Sequence, residues 1–421
     1  MPQHYTVKCQ LCGAVLEDDG FILECPVKHE AALLLTHYSA RRFEPESSRE
    51  GIFRYHKWLP ICHSLRQSSK TVTYQSQKLC DRLSLPNLWI AFNGYWLDKE
   101  AMLETTTFKE LEAYTVLSRL PQQHQGTLVV SSAGNTAAAF AHVCSQNQVS
   151  CLLIVPSQAL AKLKLAAPLN PCVRVISLVD ADYDDAIQLA QNLAQHESFF
   201  LEGGVRNIGR RDGIGTTLLN AIETIGQLPD YYFQAIGSGA GAIAVHEAAK
   251  RLVDQGQFGR KLPQLMLSQN SPFMPIYHAW KSHTRQFPQP EGKEQVKQIL
   301  ATVLSNQRPP YVVKGGVYDA LVESQGDMLF SDNSETAEAM QLFQAVEGVE
   351  IEPAAGVAFA SLIKAVKDDQ IDPDAIVLLH ITGGRCREYD RRSRYTIEPT
   401  LQLVNPGFST ETVLEKLAGL S

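Results

Sequence analysis

Short β-rich runs alternate with amphipathic helical patterns along this chain, and this alternation limits the possible folds more than any other feature. The clearest units pair TLVVSS with GNTAAAFAHVCSQ, CLLIVP with SQALAKLKLAA, and VRVISLV with DYDDAIQLAQNLAQ. Such alternation is typical of βαβ units, in which a helix connects two parallel strands. It resumes further on, with YYFQAIGSG and AIVLLHITGG as later strands. The sequence therefore predicts an α/β fold with mainly parallel sheets flanked by helices.

The length of the chain indicates more than one hydrophobic core, because 421 residues exceed what a single core usually serves. The charged stretch RRFEPESSREG marks a boundary near Glu50. The region from about 283 to 330 is poor in pattern and is interpreted as an irregular insertion. The predicted parts are a small Cys-rich segment over 1–50, a larger lobe over 51–100 and 201–421, and a smaller mobile lobe over 101–200.

Charge and cysteine content argue against several kinds of partner. A formal net charge of -7 gives no general attraction to nucleic acid or to an anionic membrane. No apolar run approaches the length of a membrane span, and the opening MPQHYTVKCQ lacks the apolar core of a signal peptide. Nine thinly spread cysteines indicate reduced thiols. We therefore expect a cytoplasmic protein that binds neither nucleic acid nor membrane.

The segment GSGAG lies over 237–241, between a predicted strand and a predicted helix. Glycines let the backbone approach an anion closely, and the amides and dipole at a helix start favour a phosphate. A tight strand-to-helix turn would use the same residues. A dinucleotide fingerprint would need a glycine at 242, which is alanine, and an acidic residue after LMLSQN, which is absent from the sequence there. Nicotinamide chemistry is thus a secondary alternative.

Two further segments place polar groups at predicted helix starts. Ser131 closes a strand and Asn135 opens a helix, an arrangement that suits a bound carboxylate or simple N-capping. Thr107 and Glu110 have capping-box spacing, which places Lys109 in a first helical turn. The helix dipole disfavours an ammonium there, and a neutral lysine can form a Schiff base. A solvated surface lysine is the alternative.

Four residues near the amino terminus have the spacing C-x2-C-x12-C-x3-H, namely Cys9, Cys12, Cys25 and His29. This spacing is able to surround a tetrahedral zinc ion. Such a zinc ion would be structural, because four protein ligands leave no open position. Ordinary cysteines of a small domain are the alternative.

Four short motifs occur in a fixed order, T-F-K, S-x-G-N-T, G-S-G-x-G and a terminal T-G-G. In this order they resemble the fold-type II pyridoxal-phosphate enzymes, and within them the threonine-synthase-like branch. The resemblance covers nearly the whole chain. It implies a two-lobed, tryptophan-synthase-β-like fold with a zinc-ribbon-like appendage, pyridoxal 5'-phosphate as cofactor, small-molecule substrates and a homo-oligomer.

The resemblance also implies a role for each motif residue. Lys109 would bind the cofactor covalently and move protons, Asn135 would bond the ring hydroxyl, and Thr382 would meet the ring nitrogen. A neutral hydroxyl at that nitrogen suits β-elimination and replacement, and simple strand capping is the alternative for Thr382. The implied cradle for the cofactor phosphate is Gly237, Ser238, Gly239, Ala240 and Gly241. The implied loop for the substrate carboxylate is Ser132, Ala133, Gly134, Asn135 and Thr136.

The sequence departs from the family pattern around the lysine. Threonine synthases typically read F-K-D-R-G, whereas this chain reads F-K-E-L-E from Phe108 to Glu112, which argues against threonine synthase itself. Guanidinium groups that could bind a leaving phosphate and an entering sulfite belong to Arg206, Arg210, Arg211 and Arg385. Salt bridges at a helix start are the alternative for the first three.

The implied reaction is a β-replacement, in which O-phospho-L-serine and sulfite give L-cysteate and phosphate. The alternatives are threonine synthase or another phosphoserine-dependent β-replacement. Two further alternatives are a homologue that binds pyridoxal phosphate or a ligand without catalysis, and a nicotinamide-dependent oxidoreductase. The residues alone do not name the nucleophile, because small anions are recognised by one or two side chains on a shared scaffold.

Overall fold

The computed structural model describes residues 4–132, 134–161, 163–287, 292–392, 395–404 and 409–419. Its strands are β1 (Tyr5–Cys9), β2 (Val15–Leu16), β3 (Leu34–Tyr38), β4 (Val72–Gln75), β5 (Leu88–Phe92), β6 (Tyr95–Trp96), β7 (Ala101–Met102), β8 (Thr127–Ser131), β9 (Cys151–Pro156), β10 (Lys164–Leu165), β11 (Val173–Val179), β12 (Phe199–Leu201), β13 (Tyr231–Ala235), β14 (Gln264–Asn270), β15 (Asp327–Ser331), β16 (Glu350–Ile351), β17 (Val377–Ile381), β18 (Gly384–Arg385), β19 (Tyr395–Thr396) and β20 (Leu401–Val404).

The helices run between and over these strands. They are α1 (Gln77–Leu83), α2 (Lys109–Arg119), α3 (Asn135–Asn147), α4 (Ser157–Leu160), α5 (Tyr183–Leu193), α6 (Ile208–Ile225), α7 (Ala240–Gln255), α8 (Pro275–Lys281), α9 (Lys293–Gln298), α10 (Val317–Glu323), α11 (Asn333–Glu347), α12 (Pro353–Lys367), α13 (Arg387–Asp390) and α14 (Thr410–Ala418), with 3-10 turns at Gly51–Trp58, Leu97–Lys99, Gly204–Arg206 and Thr302–Leu304. None of the described helices is long and apolar enough to cross a membrane.

The larger sheet has the strand order β15-β14-β13-β17-β5-β4. Its neighbours are parallel except β4, which runs antiparallel to β5. All five residues of β17, VLLHI, are buried, as expected for a parallel strand that is covered on both faces. Helix α12 packs on β13 and β17, and α7 packs on α6. The carboxyl ends of β13 and β17 thus leave the sheet side by side.

The smaller sheet has the order β12-β8-β9-β11-β20, and all its pairs are parallel. The predicted α/β fold with two mainly parallel sheets is therefore confirmed. The last strand, β20, belongs to the smaller sheet, whereas the predicted division assigned 201–421 to the larger lobe. It pairs with β11 because Leu403 and the α14 residues Val413 and Leu417 are buried in the apolar cluster of this sheet. The mobility of the smaller lobe stays a prediction.

The interpretation of 283–330 as an irregular insertion is wrong for part of that region. It contains α9 and α10, and its last residues form β15, which pairs in parallel with β14. The strand was missed because it is a short edge strand with a weak alternation of buried and exposed residues. Residues 288–291 lie outside the described part of the chain.

The amino-terminal module, defined here as residues 4–38, contains the antiparallel sheet β2-β1-β3. Its small apolar cluster includes Tyr5 and Val7 and extends to Ile208 at the start of α6. Arg119 at the end of α2 forms a fully buried ion pair with Asp18 of the module, with Nη2 and Oδ1 2.6 Å apart. The module is therefore fixed to the helices that carry the site described next.

Candidate active site

The start of α2 lies against the loop that follows β17. The Phe108 amide donates to the Thr382 carbonyl over 3.0 Å, and the Gly384 amide donates to the Thr106 carbonyl over 3.0 Å. Helix α2 begins at Lys109, so the prediction that this lysine lies in a first helical turn is confirmed. The backbone bonds bring Lys109 and Thr382, far apart in sequence, to one place at the carboxyl edge of the larger sheet.

The predicted capping box between Thr107 and Glu110 is wrong. Thr107 forms a β-bridge with Gly383, and its hydroxyl has no partner within the described part of the chain. The Glu110 carboxylate instead accepts from the Thr105 amide at 2.7 Å and from the Ser69 hydroxyl at 3.1 Å. Burial raises the pKa of Glu110 to about 7. This carboxyl group therefore fixes the turn before α2.

The Lys109 side chain enters a cluster of buried charges. Its Nζ lies 3.1 Å from Glu112 Oε2, and its side chain is 17% exposed whereas that of Glu112 is 0% exposed. Arg210 Nη1 lies 3.0 Å from Glu112 Oε1, and Arg210 Nη2 lies 2.6 Å from Glu202 Oε2. Burial lowers the pKa of Lys109, the Glu112 carboxylate opposes this, and Arg210 adds to the lowering. The neutral form of the Lys109 amine is therefore more favourable in this site than it is in water.

The side chain of Asn135 meets a carboxylate that the sequence did not single out. Asn135 Nδ2 donates to Glu352 Oε2 over 3.2 Å, and the Glu352 amide donates to the Gly383 carbonyl over 2.9 Å. Burial raises the pKa of Glu352. In the sequence Glu352 only precedes a helix, so no signal marked it. Loop 382–384 thus connects the surroundings of Lys109 and Asn135.

The GSGAG loop leaves the adjacent strand of the same sheet. Strand β13 pairs in parallel with β17, so the loop and Thr382 follow neighbouring strand ends. Gly239 has φ +80°, and a Cβ at this position would overlap the Val317 side chain. The Ser238 hydroxyl accepts from the Ala240 amide over 3.3 Å. The remaining first-turn amides of α7 have no partner inside the helix, which suits a phosphate.

The start of α3 is open towards this site. Ser132, Gly134, Asn135 and Thr136 are all partly exposed, and a Cβ at Gly134 would meet nothing within 4 Å. The Thr136 hydroxyl donates to Glu112 Oε1 over 3.2 Å. Ala133 lies outside the described residues. The described part of this loop therefore borders the Lys109 cluster and leaves room for a small molecule.

Of the four predicted anion-binding arginines, the structure brings Arg210 to Lys109. Arg206 pairs with Glu24 at the surface, where its side chain is 47% exposed. Arg211 is buried and pairs with Glu247 at 2.9 Å, on the side of α6 that faces the amino-terminal module. Arg385 lies beside loop 382–384, with its Nε 2.7 Å from Asp390 Oδ1. Arg206 and Arg211 thus form salt bridges away from the Lys109 cluster.

Residues 83–383 match the family model described as pyridoxal-phosphate dependent enzyme. The chain is 40% identical to "Cysteate synthase" of Methanosarcina barkeri, over 97% of this chain and 99% of the relative. It is 44% identical to "Cysteate synthase" of Methanosphaerula palustris, over 95% of this chain and 94% of the relative. The chain belongs to the cysteate synthase family of pyridoxal-phosphate dependent enzymes.

Solved structures outside the cysteate synthase family share the fold. Serine racemase from Dictyostelium discoideum has a TM-score of 0.54 at 17% identity, over 75% of this chain and 92% of that one. A fungal L-serine ammonia-lyase from Rhizomucor miehei has a TM-score of 0.59 at 13% identity, over 79% of this chain and all of that one. At these identities the similarity concerns the fold alone.

The residues present fit the cofactor of the cysteate synthase family, pyridoxal phosphate. Gly239 keeps the loop open where a side chain would overlap Val317, and the first turn of α7 offers free amides for a phosphate. Lys109 has a lowered pKa, as a Schiff-base lysine requires. Thr382 offers a hydroxyl at the end of β17 and is only 6% exposed. The chemistry of these donors therefore matches the group.

A neutral polar network below these loops was missed from the sequence. His380 Nδ1 lies 2.6 Å from the Tyr232 hydroxyl, and His380 Nε2 lies 2.6 Å from Asn93 Nδ2. The Tyr232 hydroxyl donates onward to Gln234 Oε1 over 2.9 Å, and Asn93 Nδ2 also donates to the Thr217 hydroxyl. Complete burial lowers the pKa of His380 to about 3. The only signal was one histidine in an otherwise apolar strand.

The predicted metal ligands come together in the amino-terminal module. The ligand atoms of Cys9, Cys12, Cys25 and His29 all lie within 4.8 Å of one another. Cys9 Sγ is 3.3 Å from His29 Nε2, and His29 Nδ1 is 2.6 Å from the Glu30 carbonyl. A backbone bond of this kind orients a metal-binding imidazole. The cluster has the donor set and the closeness of a structural zinc site.

Proposed function

We propose that this protein catalyses a β-replacement in which O-phospho-L-serine and sulfite give L-cysteate and phosphate. One observation carries the proposal: the 40% identity to "Cysteate synthase" of Methanosarcina barkeri over 97% of this chain. The charged cluster around Lys109 and the adjacent glycine loop support it, since both suit a cofactor-dependent reaction of a small phosphorylated amino acid.

Lys109 binds the cofactor and takes the proton from the α-carbon of the substrate. Asn135 and Thr382 contact the cofactor ring, and loop 237–241 binds its phosphate. The cofactor, when bound, supplies the electron sink that allows the substrate phosphate to leave from the β-carbon. The open start of α3, at Gly134 and Thr136, binds the substrate carboxylate through helix-terminal amides.

The anions of the reaction have to compete with carboxylates for the arginines near Lys109. Arg210 faces both Glu112 and Glu202, so it binds an entering anion only by leaving one of these carboxylates. Arg385 is 30% exposed beside loop 382–384, although it pairs with Asp390. We assign the leaving phosphate and the entering sulfite to Arg385, which is more exposed than Arg210. We assign Arg206, Arg210 and Arg211 to structural salt bridges.

The setting of the enzyme is also proposed. A structural zinc ion binds to the cysteines and the histidine of the amino-terminal module. The protein acts in the cytoplasm as a homo-oligomer, which is what the resemblance to fold-type II enzymes implies. None of the nine cysteines forms a disulfide in the structure, which is consistent with a reducing compartment.

Product analysis tests the proposed reaction directly. Protein loaded with pyridoxal phosphate is incubated with O-phosphoserine, with and without sulfite, and phosphate and cysteate are measured. We expect cysteate and phosphate in equal amounts when sulfite is present. Lys109→Ala protein serves as the control, and we expect both products to fall by about 10²- to 10⁴-fold. Release of phosphate without cysteate, or product formation only with a different nucleophile, would contradict the sulfite step.

A further inference from the structure

A buried carboxylate touches the amine that the proposed function makes reactive. Glu112 lies one helical turn after Lys109, at the spacing that places two side chains on the same helix face. Its Oε2 is 3.1 Å from Lys109 Nζ, and its side chain is fully buried. A carboxylate in this position has to be paired, because an isolated buried charge is costly.

Two polar groups hold the first oxygen of this carboxylate. Glu112 Oε1 faces Arg210 Nη1 at 3.0 Å and accepts from the Thr136 hydroxyl at 3.2 Å. Arg210 is held from its other side by Glu202, with Nε and Oε1 2.7 Å apart. The second oxygen of Glu112 therefore points at Lys109 in a fixed direction.

The charges of the cluster set what happens when Lys109 loses its proton. Two cations, Lys109 and Arg210, face two carboxylates, Glu112 and Glu202. Loss of the Lys109 proton to solvent would leave one uncompensated negative charge in a buried site. Transfer of the proton from Nζ to Glu112 Oε2 turns the ammonium–carboxylate pair into an amine and a carboxylic acid, and it keeps the total charge of the site unchanged.

We propose that Glu112 is a positioning residue for Lys109, which fixes Nζ in the pocket and takes up the proton that the amine releases before it acts. The same carboxyl group returns the proton when Lys109 needs it again. Arg210, Thr136 and Glu202 hold Glu112 for this exchange. The proposal rests on Lys109 being the cofactor-binding amine, but it does not depend on which nucleophile the enzyme uses.

The titration of Lys109 in cofactor-free protein tests this role. Trace acetylation with acetic anhydride is measured between pH 6 and 11 by mass spectrometry of the peptide that contains Lys109, since only the neutral amine reacts. The titratable or charged groups that face Lys109 and its partner Arg210 are Glu112, Arg210, Glu202 and Tyr183. Because the Glu112 carboxylate raises the pKa of Lys109, Glu112→Gln shifts the labelling curve to lower pH, by about one unit or a tenfold change in neutral amine.

Glu202→Gln is the matched control, because it makes the same chemical change on the far side of Arg210. We expect it to shift the curve by less than half as much. Glu112→Asp keeps the charge but shortens the side chain, and its curve should lie between those of the wild type and Glu112→Gln. Thermal unfolding shows whether Glu112→Gln folds. If it does not, the shift in the labelling curve of Glu112→Asp tests the proposal instead.

In the loaded enzyme the acidic limb of the pH–rate profile should move in Glu112→Gln, and kcat should fall more than KM rises. An unchanged Lys109 labelling curve in Glu112→Gln, or equal shifts in Glu112→Gln and Glu202→Gln, would overturn the proposal. Because the labelling needs neither substrate nor cofactor, this failure is distinguishable from a failure of the proposed reaction, which only the product assay detects.

Discussion

Two buried polar clusters lie at the same edge of the larger sheet, and they differ in charge. The cluster around Lys109 contains two cations and two carboxylates and is partly open, with the lysine 17% exposed. The cluster around His380 is neutral and fully buried, and connects β13, β17 and the residue after β5. The proposed function assigns proton exchange with the substrate to the first cluster, and the second, which is neutral and buried, holds strand ends in place.

The same edge of the sheet has to hold two loops in place and to provide groups for proton transfer. Strand ends have to be fixed if loops 237–241 and 382–384 are to keep their places, and neutral hydrogen bonds do this without a charge to desolvate. Chemistry needs groups that change their protonation state, and the proposed ones, Lys109 and Glu112, are both on α2, next to the opening at α3. The proposed function therefore separates a charged cluster that does the proton chemistry from a neutral network that stabilises the sheet.

The largest effect is expected for the charged cluster. Lys109→Ala should lower cysteate formation by about 10²- to 10⁴-fold, because this group both binds the cofactor and moves a proton. The thermal midpoint should fall by less than in His380→Ala, since Arg210 and Thr136 still hold the Glu112 carboxylate. Product assays measure the activity, and thermal unfolding measures the midpoint. A large loss of stability with retained activity would show that Lys109 has a structural and not a catalytic role.

The neutral cluster should show the opposite pattern. His380→Ala removes one of the two hydrogen-bond partners of the Tyr232 hydroxyl and of the Asn93 amide and leaves a buried cavity, so the free energy of unfolding should fall by about 2–5 kcal/mol. Denaturant unfolding measures the loss. His196→Ala is the matched control, because His196 is exposed and should cost less than about 0.5 kcal/mol. Equal losses in the two variants would contradict a structural role for His380.

A substitution in loop 237–241 should affect both the neutral network and cofactor binding. A Cβ at Gly241 would overlap the Gln234 amide, whereas a Cβ at Gly419 would be 3.7 Å from its nearest neighbours. Gly241→Ala should destabilise the protein by about 1–3 kcal/mol and also weaken cofactor binding, and Gly419→Ala should do neither. Fluorescence titration with pyridoxal phosphate reads the binding. Unchanged affinity for pyridoxal phosphate in Gly241→Ala would contradict a role of the neutral network in shaping the phosphate loop.

The last effect concerns pH, and between pH 5 and pH 7 it amounts to about 2 kcal/mol. His380 has a pKa of about 3 in the folded protein and about 6.5 when unfolded, so the unfolded chain binds the extra proton between these values. Stability should therefore rise as the pH rises from about 3 to 6.5, by at most about 1.4 kcal/mol per pH unit from this group. Denaturant midpoints of wild type and His380→Asn, compared at pH 5 and pH 7, measure the contribution. An identical pH dependence in the two proteins would show that His380 is not buried in its neutral form.

Much of this arrangement could be predicted from the sequence, because the local signals are strong. Parallel strands follow from apolar runs that alternate with helical patterns, and Lys109 and the glycine loop follow from short motifs. The pairing of β20 with β11 could not be predicted, since a four-residue strand carries no signal for a distant partner. Glu352 and His380 read as ordinary residues of a helix start and a strand. Their roles depend on contacts made across the folded chain.

The most direct measurement is to reduce the cofactor-loaded protein with borohydride, which makes a lysine–cofactor bond permanent, and to locate the modified residue by peptide mass spectrometry. The proposed function predicts that the cofactor is attached to Lys109 in the wild type and to no residue in Lys109→Ala. Attachment at a different lysine, or equal attachment in the two proteins, would contradict the assignment of Lys109 as the reactive amine.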